Sequence, residues 1–120
     1  MKFQQFSSEL QQRYLALLSD VAVEDIAMLR AKDASYRGSF AKRGGVGLFM
    51  MLARKWDRIE SMVGERQYDL FAERSLDAVR EEMKDLRGYL LLAEAYIRAC
   101  TTAGKSGGET KVMERPTAST

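Results

Sequence analysis

The sequence predicts an all-α protein, a small bundle of helices that oligomerises through its long members. Three observations lead there. The only proline stands at position 116, so 115 residues run without a proline break. Apolar residues recur at spacings of three and four in three separate segments. No segment of useful length alternates apolar with polar as a half-buried strand would.

The first helical segment spans residues 8–31. Leu10, Tyr14, Leu17 and Leu18 hold one face, and Val23, Ile26, Ala27 and Arg30 continue at helical spacing. Ser19 and Asp20 between them are cap-forming residues and mark a break into two pieces. Lys32 to Ser39 then leaves the pattern, and its small polar residues and Gly38 predict a loop. The second helix opens from Lys42-Arg-Gly-Gly-Val-Gly47 and runs from Leu48 to Val63, with Gly64 as its stop. Its expected buried stripe is Phe49, Leu52, Ala53, Trp56, Ile59 and Val63. Residues 64–75 form a connector, with Tyr68, Leu70 and Phe71 packed down.

The third helix carries the clearest pattern. Leu76, Val79, Met83, Leu86, Leu90, Ala93, Ile97 and Cys100 alternate steps of three and four, an a/d seam of about three and a half heptads. Ser75 is its expected N-cap, and Asp77 favours the positive end of the helix dipole. Residues 1–103 therefore read as one helical domain. Residues 104–120, with three glycines and the proline, read as a flexible tail. So short a chain has little private core, and the seam is expected to be buried against another subunit.

Composition narrows the chemistry. The 120 residues hold 19 Lys+Arg against 17 Asp+Glu, a net charge of +2, too small to imply direct nucleic-acid binding. Histidine is absent, which excludes a Ser-His-Asp triad, a His-ligated zinc and a His acid or base. The single cysteine, Cys100, excludes an internal disulfide and a Cys-cluster metal site, and its place on the seam reads as a small core residue. No apolar run reaches the roughly 18 residues of a membrane span, and the start MKFQQFSSEL has no apolar leader core, so a cytoplasmic protein is expected. Chemistry must then come from Asp, Glu, Lys, Arg, Ser, Tyr or a carboxylate-held metal.

Two acidic pairs stand out. Glu82 and Asp85 share a helix face, and at three and four residues along their own helix neither has a basic neighbour while each has an acidic one. Like charges so spaced cost about 0.2–0.5 kcal/mol each on an exposed helix, so something positive should compensate them. Asp57 and Glu60 are spaced alike on the preceding helix. Two antiparallel helices projecting such pairs inward would make an oxygen-only cluster suited to Mg²⁺ or Mn²⁺. The plainer reading is that all four are solvated surface charges.

Residues 32–58 also concentrate positive charge: Lys32, Arg37, Lys42, Arg43, Arg54, Lys55 and Arg58 against Asp33 and Asp57. Lys42 and Arg43, with the glycine amides after them, form a candidate anion site at a helix start. The plainer reading is a glycine-rich loop with solvated cations. Cations facing a metal cluster are what a polyphosphate requires, with a metal-bound water to attack phosphorus. The stretch Ala99-Cys-Thr-Thr-Ala-Gly-Lys-Ser106 resembles the end of a phosphate-binding loop, but it lacks the first glycine and follows a helix instead of a strand.

These residues resemble a family. Glu82-Met-Lys-Asp85 and the apolar helix after it resemble the second metal motif of the MazG-like all-α nucleoside triphosphate pyrophosphohydrolases, Glu-x-x-Asp. Asp57-Arg-Ile-Glu60 is similar to their first motif, Glu-x-x-Glu, with Asp in the leading position. Lys32-Asp-Ala-Ser-Tyr36, Gly38-Ser39 and the run from Arg43 to Glu60 resemble a branch associated with nucleotide modification and common in phages. Similar phage enzymes cleave dGTP or dATP to the monophosphate and pyrophosphate. The resemblance covers roughly residues 20–98.

It implies a helical bundle of the MazG-like type, a homodimer or homotetramer, that hydrolyses a nucleoside triphosphate at its α-phosphoryl group. It implies Asp57, Glu60, Glu82 and Asp85 as ligands of Mg²⁺ or Mn²⁺, with Glu60 and Glu82 catalytic. It implies Lys32, Tyr36 and Arg43 as phosphate or sugar contacts, beside the Lys42 and Lys55 of the basic stretch. The competing reading is a non-catalytic helical oligomer, an interaction module whose acidic pairs meet Arg or Lys from a neighbouring helix. A third is a relative that binds nucleotides without cleaving them.

Overall fold

The computed structural model describes residues 5–72 and 76–103, and they are all-helical. Helix α1 spans Ser8–Tyr36, α2 spans Gly44–Gly64 and α3 spans Leu76–Ala103, with short 3-10 turns at Ser39–Ala41 and Leu70–Ala72. The expected tail, 104–120, and the expected cap Ser75 lie outside the described residues.

Helix α1 is one piece, unlike the break expected at Ser19 and Asp20. Both side chains are exposed in mid-helix, and no glycine or proline interrupts the Leu- and Ala-rich flanks. Ser7 caps its start by accepting a hydrogen bond from the Leu10 N–H at 3.1 Å, with Glu9 in the first turn. Its end comes later than expected, because Asp33 organises the stop. The Asp33 carbonyl accepts from the Arg37 N–H at 2.7 Å, and its carboxylate accepts from the Gly38 N–H at 2.8 Å. Arg37 and Gly38 then turn the chain with positive φ of 49° and 77°. The expected loop of residues 32–39 is thus helix up to Tyr36.

Helices α2 and α3 form an antiparallel hairpin whose register can be read from two ion pairs. Lys55 Nζ lies 3.1 Å from Asp85 Oδ2, and Arg58 Nε lies 3.1 Å from Glu82 Oε1. Three residues forward on α2 match three residues back on α3. Ile59 and Val63 of α2 and Val79 of α3 are buried in that register. The expected stripe is therefore only half right: Ile59 and Val63 are buried, but Phe49 and Trp56 lie on the outer face and are exposed. A 3.6-residue period tolerates a wide stripe, and the α3 seam covers only one edge of it. Tyr68 and Phe71 of the connector are exposed too, and so is Cys100. The α3 seam is buried at Val79, while Leu90 and Ile97 are exposed further along.

Helix α1 meets α3 near the middle of each. Gly88 is buried where they cross, and a Cβ there would sit 3.2 Å from Leu29 Cδ2. One turn away along α1, the buried Asp25 pairs with Arg87. Phe40, in the turn after α1, packs edge-to-face on Tyr96 of α3 with ring centroids 5.7 Å apart. Among the described residues no helix is long and apolar enough to cross a membrane.

Candidate functional site

Three helices and one turn wall a cleft of about 230 Å³. Helix α1 supplies the adjacent Lys32 and Asp33 and, one turn further along its last stretch, Tyr36. The turn that Asp33 initiates supplies Ser39 and Phe40. Helix α2 supplies Lys55, and α3 supplies Lys84, Asp85, Gly88 and Tyr89. Because Gly88 has no side chain, α1 can approach α3 closely enough to close this end.

Charge in the cleft is positive on balance. Lys32, Lys55 and Lys84 face two carboxylates, both engaged. Asp33 caps the turn, and Asp85 accepts a hydrogen bond from Lys55 at 3.1 Å. Lys84 makes a long contact, 3.9 Å, to Glu81 on its own helix, and its charge also helps hold the Asp25 carboxylate ionised. The apolar side comes from Met28, Leu29, Met51 and Leu92, with the rings of Tyr36, Phe40 and Tyr89. Such a site suits a ligand with a flat apolar part and a strongly anionic part.

A second, shallower groove lies on another flank of the hairpin, between Arg54, Asp57, Arg58, Ser61, Met62 and Glu82. Glu82 is mostly buried there, and its Oε1 accepts no hydrogen bond although Arg58 Nε is 3.1 Å away. The Arg58 N–H is not aimed at that oxygen, so the pair is held by charge and not by a directed bond.

The expected site residues thus divide into three groups. Lys32, Tyr36, Lys55 and Asp85 share the cleft. Asp57 and Glu82 share the groove. Glu60, Lys42 and Arg43 are exposed and line neither. The four carboxylates expected to cage a divalent ion do not converge. Among the described residues, no group of three or more Asp, Glu or Cys could hold a metal. The reason is the rotation of α2, which turns Lys55 and Arg58 toward the α3 acids; Glu60 lies about 140° around the helix from Lys55 and about 160° from Arg58, while Asp57, about 100° from Arg58, reaches only the groove beside Glu82.

Phe40, Lys84 and Tyr89 were not singled out in the sequence, and Asp33 and Ser39 entered only within the blocks that carry the resemblance, with no role assigned. Lys84 and Tyr89 could have been, because they flank Asp85 and share its side of α3. Compared with models of protein families, with curated proteins and with solved structures, the chain matches none.

Proposed function

We propose that this chain binds a nucleoside triphosphate in the cleft and hydrolyses it to the monophosphate and pyrophosphate. The observation that carries this reading is the convergence of Lys32, Lys55 and Lys84, from three different helices, on one cleft also walled by Tyr36, Phe40 and Tyr89. The lysines neutralise the phosphates, and the rings offer faces to the base. A phosphate that draws Lys55 away frees the Asp85 carboxylate to accept a proton from an attacking water. The water oxygen bonds to the α-phosphorus, the bond from that phosphorus to the bridging oxygen breaks, and pyrophosphate leaves. Mg²⁺ or Mn²⁺ enters as the complex with the triphosphate, as part of the substrate.

The resemblance to the MazG-like pyrophosphohydrolases favours a purine deoxynucleotide, dGTP or dATP, and a cytoplasmic homo-oligomer. The test is a panel of nucleoside and deoxynucleoside triphosphates with Mg²⁺, resolved by chromatography. Monophosphate and pyrophosphate are expected, with the product lost in Lys55→Met and Lys32→Met. A second reading, a non-catalytic interaction module, draws on the pairing of Asp85 and Glu82 with Lys55 and Arg58, which leaves the acids compensated without metal. It predicts no product and no nucleotide-dependent rise in melting temperature.

A further inference from the structure

We propose that the outer ridge of α2 docks on an anionic phospholipid surface, with Val46, Phe49 and Met50 entering the acyl boundary and Lys42, Arg43 and Arg54 meeting the headgroups. This inference goes beyond the nucleotide reading and does not depend on it.

Helix α2 carries more apolar surface than α3 covers. Ile59 and Val63 are buried in the hairpin. Beside them, Val46, Phe49, Met50, Ala53 and Trp56 fall within about 120° of arc over a length of about 15 Å. The large members reach water, Val46 at 78% and Phe49 at 66% exposed, with Met50 and Trp56 more than half exposed. Neither the cleft nor the groove is lined by any of these four. They form a convex ridge, and a contiguous apolar ridge of this kind marks a contact surface.

Charge selects the occupant. No Asp or Glu occurs between Asp33 and Asp57, while Arg37, Lys42, Arg43, Arg54 and Lys55 do. Lys55 turns inward to Asp85, and the other four residues are exposed. Lys42 and Arg43 stand just ahead of the ridge, and Arg54 lies on its edge, about 40° around the helix from Met50. The Arg43 stem is laid along α2. Its Cβ, Cγ and Cδ all lie within 4 Å of where a Gly47 side chain would begin, a place left open because Gly47 has none. A stem laid on the helix below a charged head is the posture of a snorkelling arginine.

Exposed aromatic and aliphatic side chains bordered by cations are what an interfacial helix presents to anionic lipid. A convex ridge of Val, Phe and Met gains by entering a soft apolar layer, whereas single-stranded nucleic acid favours a cationic groove lined by flat rings. Asp57 and Glu60 follow at the far end of the same arc. The helix therefore meets the surface with its N-terminal end first, and Trp56 sits at headgroup level.

The full-length chain is to be mixed with vesicles of phosphatidylcholine, alone or with phosphatidylserine. Trp56 is the single tryptophan, so its emission reports on the ridge directly. Cosedimentation with the phosphatidylserine vesicles and a blue shift are expected, both weakening as salt rises, and neither with phosphatidylcholine alone. Phe49→Glu should lower the vesicle partition coefficient roughly tenfold or more, since it trades an inserted ring for a charge. Lys42→Glu combined with Arg43→Glu should lower it strongly at low salt and less at high salt. Both variants should keep the parent's helical circular dichroism, because the replaced residues are exposed. Leu17→Glu, at an exposed apolar position of α1, should bind as the parent does. No cosedimentation, equal binding to both vesicle types, or indifference to Phe49→Glu overturns the proposal. So does a blue shift that grows with protein concentration alone, which assigns the ridge to a protein contact, or one that appears with single-stranded DNA and not with vesicles.

Discussion

Arg87 grips Asp25 with two hydrogen bonds, Nε to Oδ2 at 2.7 Å and Nη2 to Oδ1 at 3.0 Å, joining residues 62 apart in the chain. The Asp25 side chain is 4% exposed and the Arg87 side chain 39%. The Arg87 hydrogen bond holds the Asp25 carboxyl below its usual range, against the opposing effect of burial. Removing the arginine leaves a buried carboxylate without its partner. Arg87→Met is expected to cost about 2–4 kcal/mol, below the full buried-pair range because Arg87 is partly in water. Urea denaturation of Arg87→Met and of the double variant Asp25→Leu with Arg87→Met checks this, with the double variant expected to recover most of the loss.

The same pair sets a pH dependence whose sign is fixed. The folded-state pKa of Asp25 is lowered, so the unfolded chain takes up the proton first as acid is added. Stability from the pair is full above the ordinary carboxylate pKa of about 3.9 and is lost as the pH falls through the lower folded-state value. Denaturation midpoints measured from neutral pH into the acid range should fall less steeply in Asp25→Asn than in the parent. Equal slopes would show that Asp25 contributes nothing to this linkage.

Gly88 makes the α1–α3 crossing possible, and its replacement should divide by size. Alanine improves helix propensity by about 0.8–1.0 kcal/mol, and its methyl would press Leu29 Cδ2 at 3.2 Å, a flexible side-chain end that can shift by a few tenths of an ångström. Gly88→Ala is expected to fall within about 1 kcal/mol of the parent. Gly88→Leu should lose about 1–3 kcal/mol by overpacking and should also narrow the cleft that Gly88 lines. Thermal unfolding and nucleotide binding, measured on both variants, separate the two effects.

What could be read from the residues was periodicity, and what could not was rotation and pairing. The extent of α3 followed from the Leu76–Cys100 seam and the end of α2 from Leu48–Val63, but α2 starts at Gly44, so the glycines read as a loop belong to its first turn. The spacing of Asp57 and Glu60 states that they share a face of α2, but nothing local says that Lys55 and Arg58 point at α3 instead. Asp25 occupies an apolar position of the α1 stripe, a hint that it has a partner, but Arg87 is too distant in sequence for any spacing rule to find. Asp33 lengthened α1 through a side-chain contact five residues on, where composition alone suggested a loop. The cleft drew Lys32, Tyr36, Lys55 and Asp85 from the expected set because they lie on helix faces that converge, and left out Lys42 and Arg43 because the turn before α2 projects them outward.

Lys55 is expected to matter for ligand and little for stability. Its side chain is 19% exposed and its bond to Asp85 lies within the cleft. Lys55→Met should weaken triphosphate binding roughly tenfold or more, because a charge-assisted contact to phosphate is worth about 1.5–3 kcal/mol. Asp85→Asn should act differently, lowering turnover more than affinity, since Lys55 remains to hold phosphate. Binding measured by calorimetry and turnover measured by pyrophosphate release give the two readouts, and parallel losses in both variants would remove Asp85 from the reaction.

Divalent ions provide the sharpest contrast between the two α3 acids and their expected role. Asp85 and Glu82 already face Lys55 and Arg58, so a free ion must displace a cation from each before it can bind. Mn²⁺ alone should therefore leave the melting temperature nearly unchanged. A triphosphate offers Lys55 another anion and brings its own metal, so Mn²⁺ and nucleotide together should stabilise by more than the sum of their separate effects. Glu82→Gln tests the groove independently. Its Oε1 lacks a hydrogen bond and Arg58 is 58% exposed, so the substitution should change stability by less than about 1 kcal/mol. If Glu82→Gln nevertheless abolishes the combined effect of Mn²⁺ and nucleotide, the groove and the cleft act on one ligand; if the effect persists, the cleft holds the metal–nucleotide complex through its lysines and Asp85 alone.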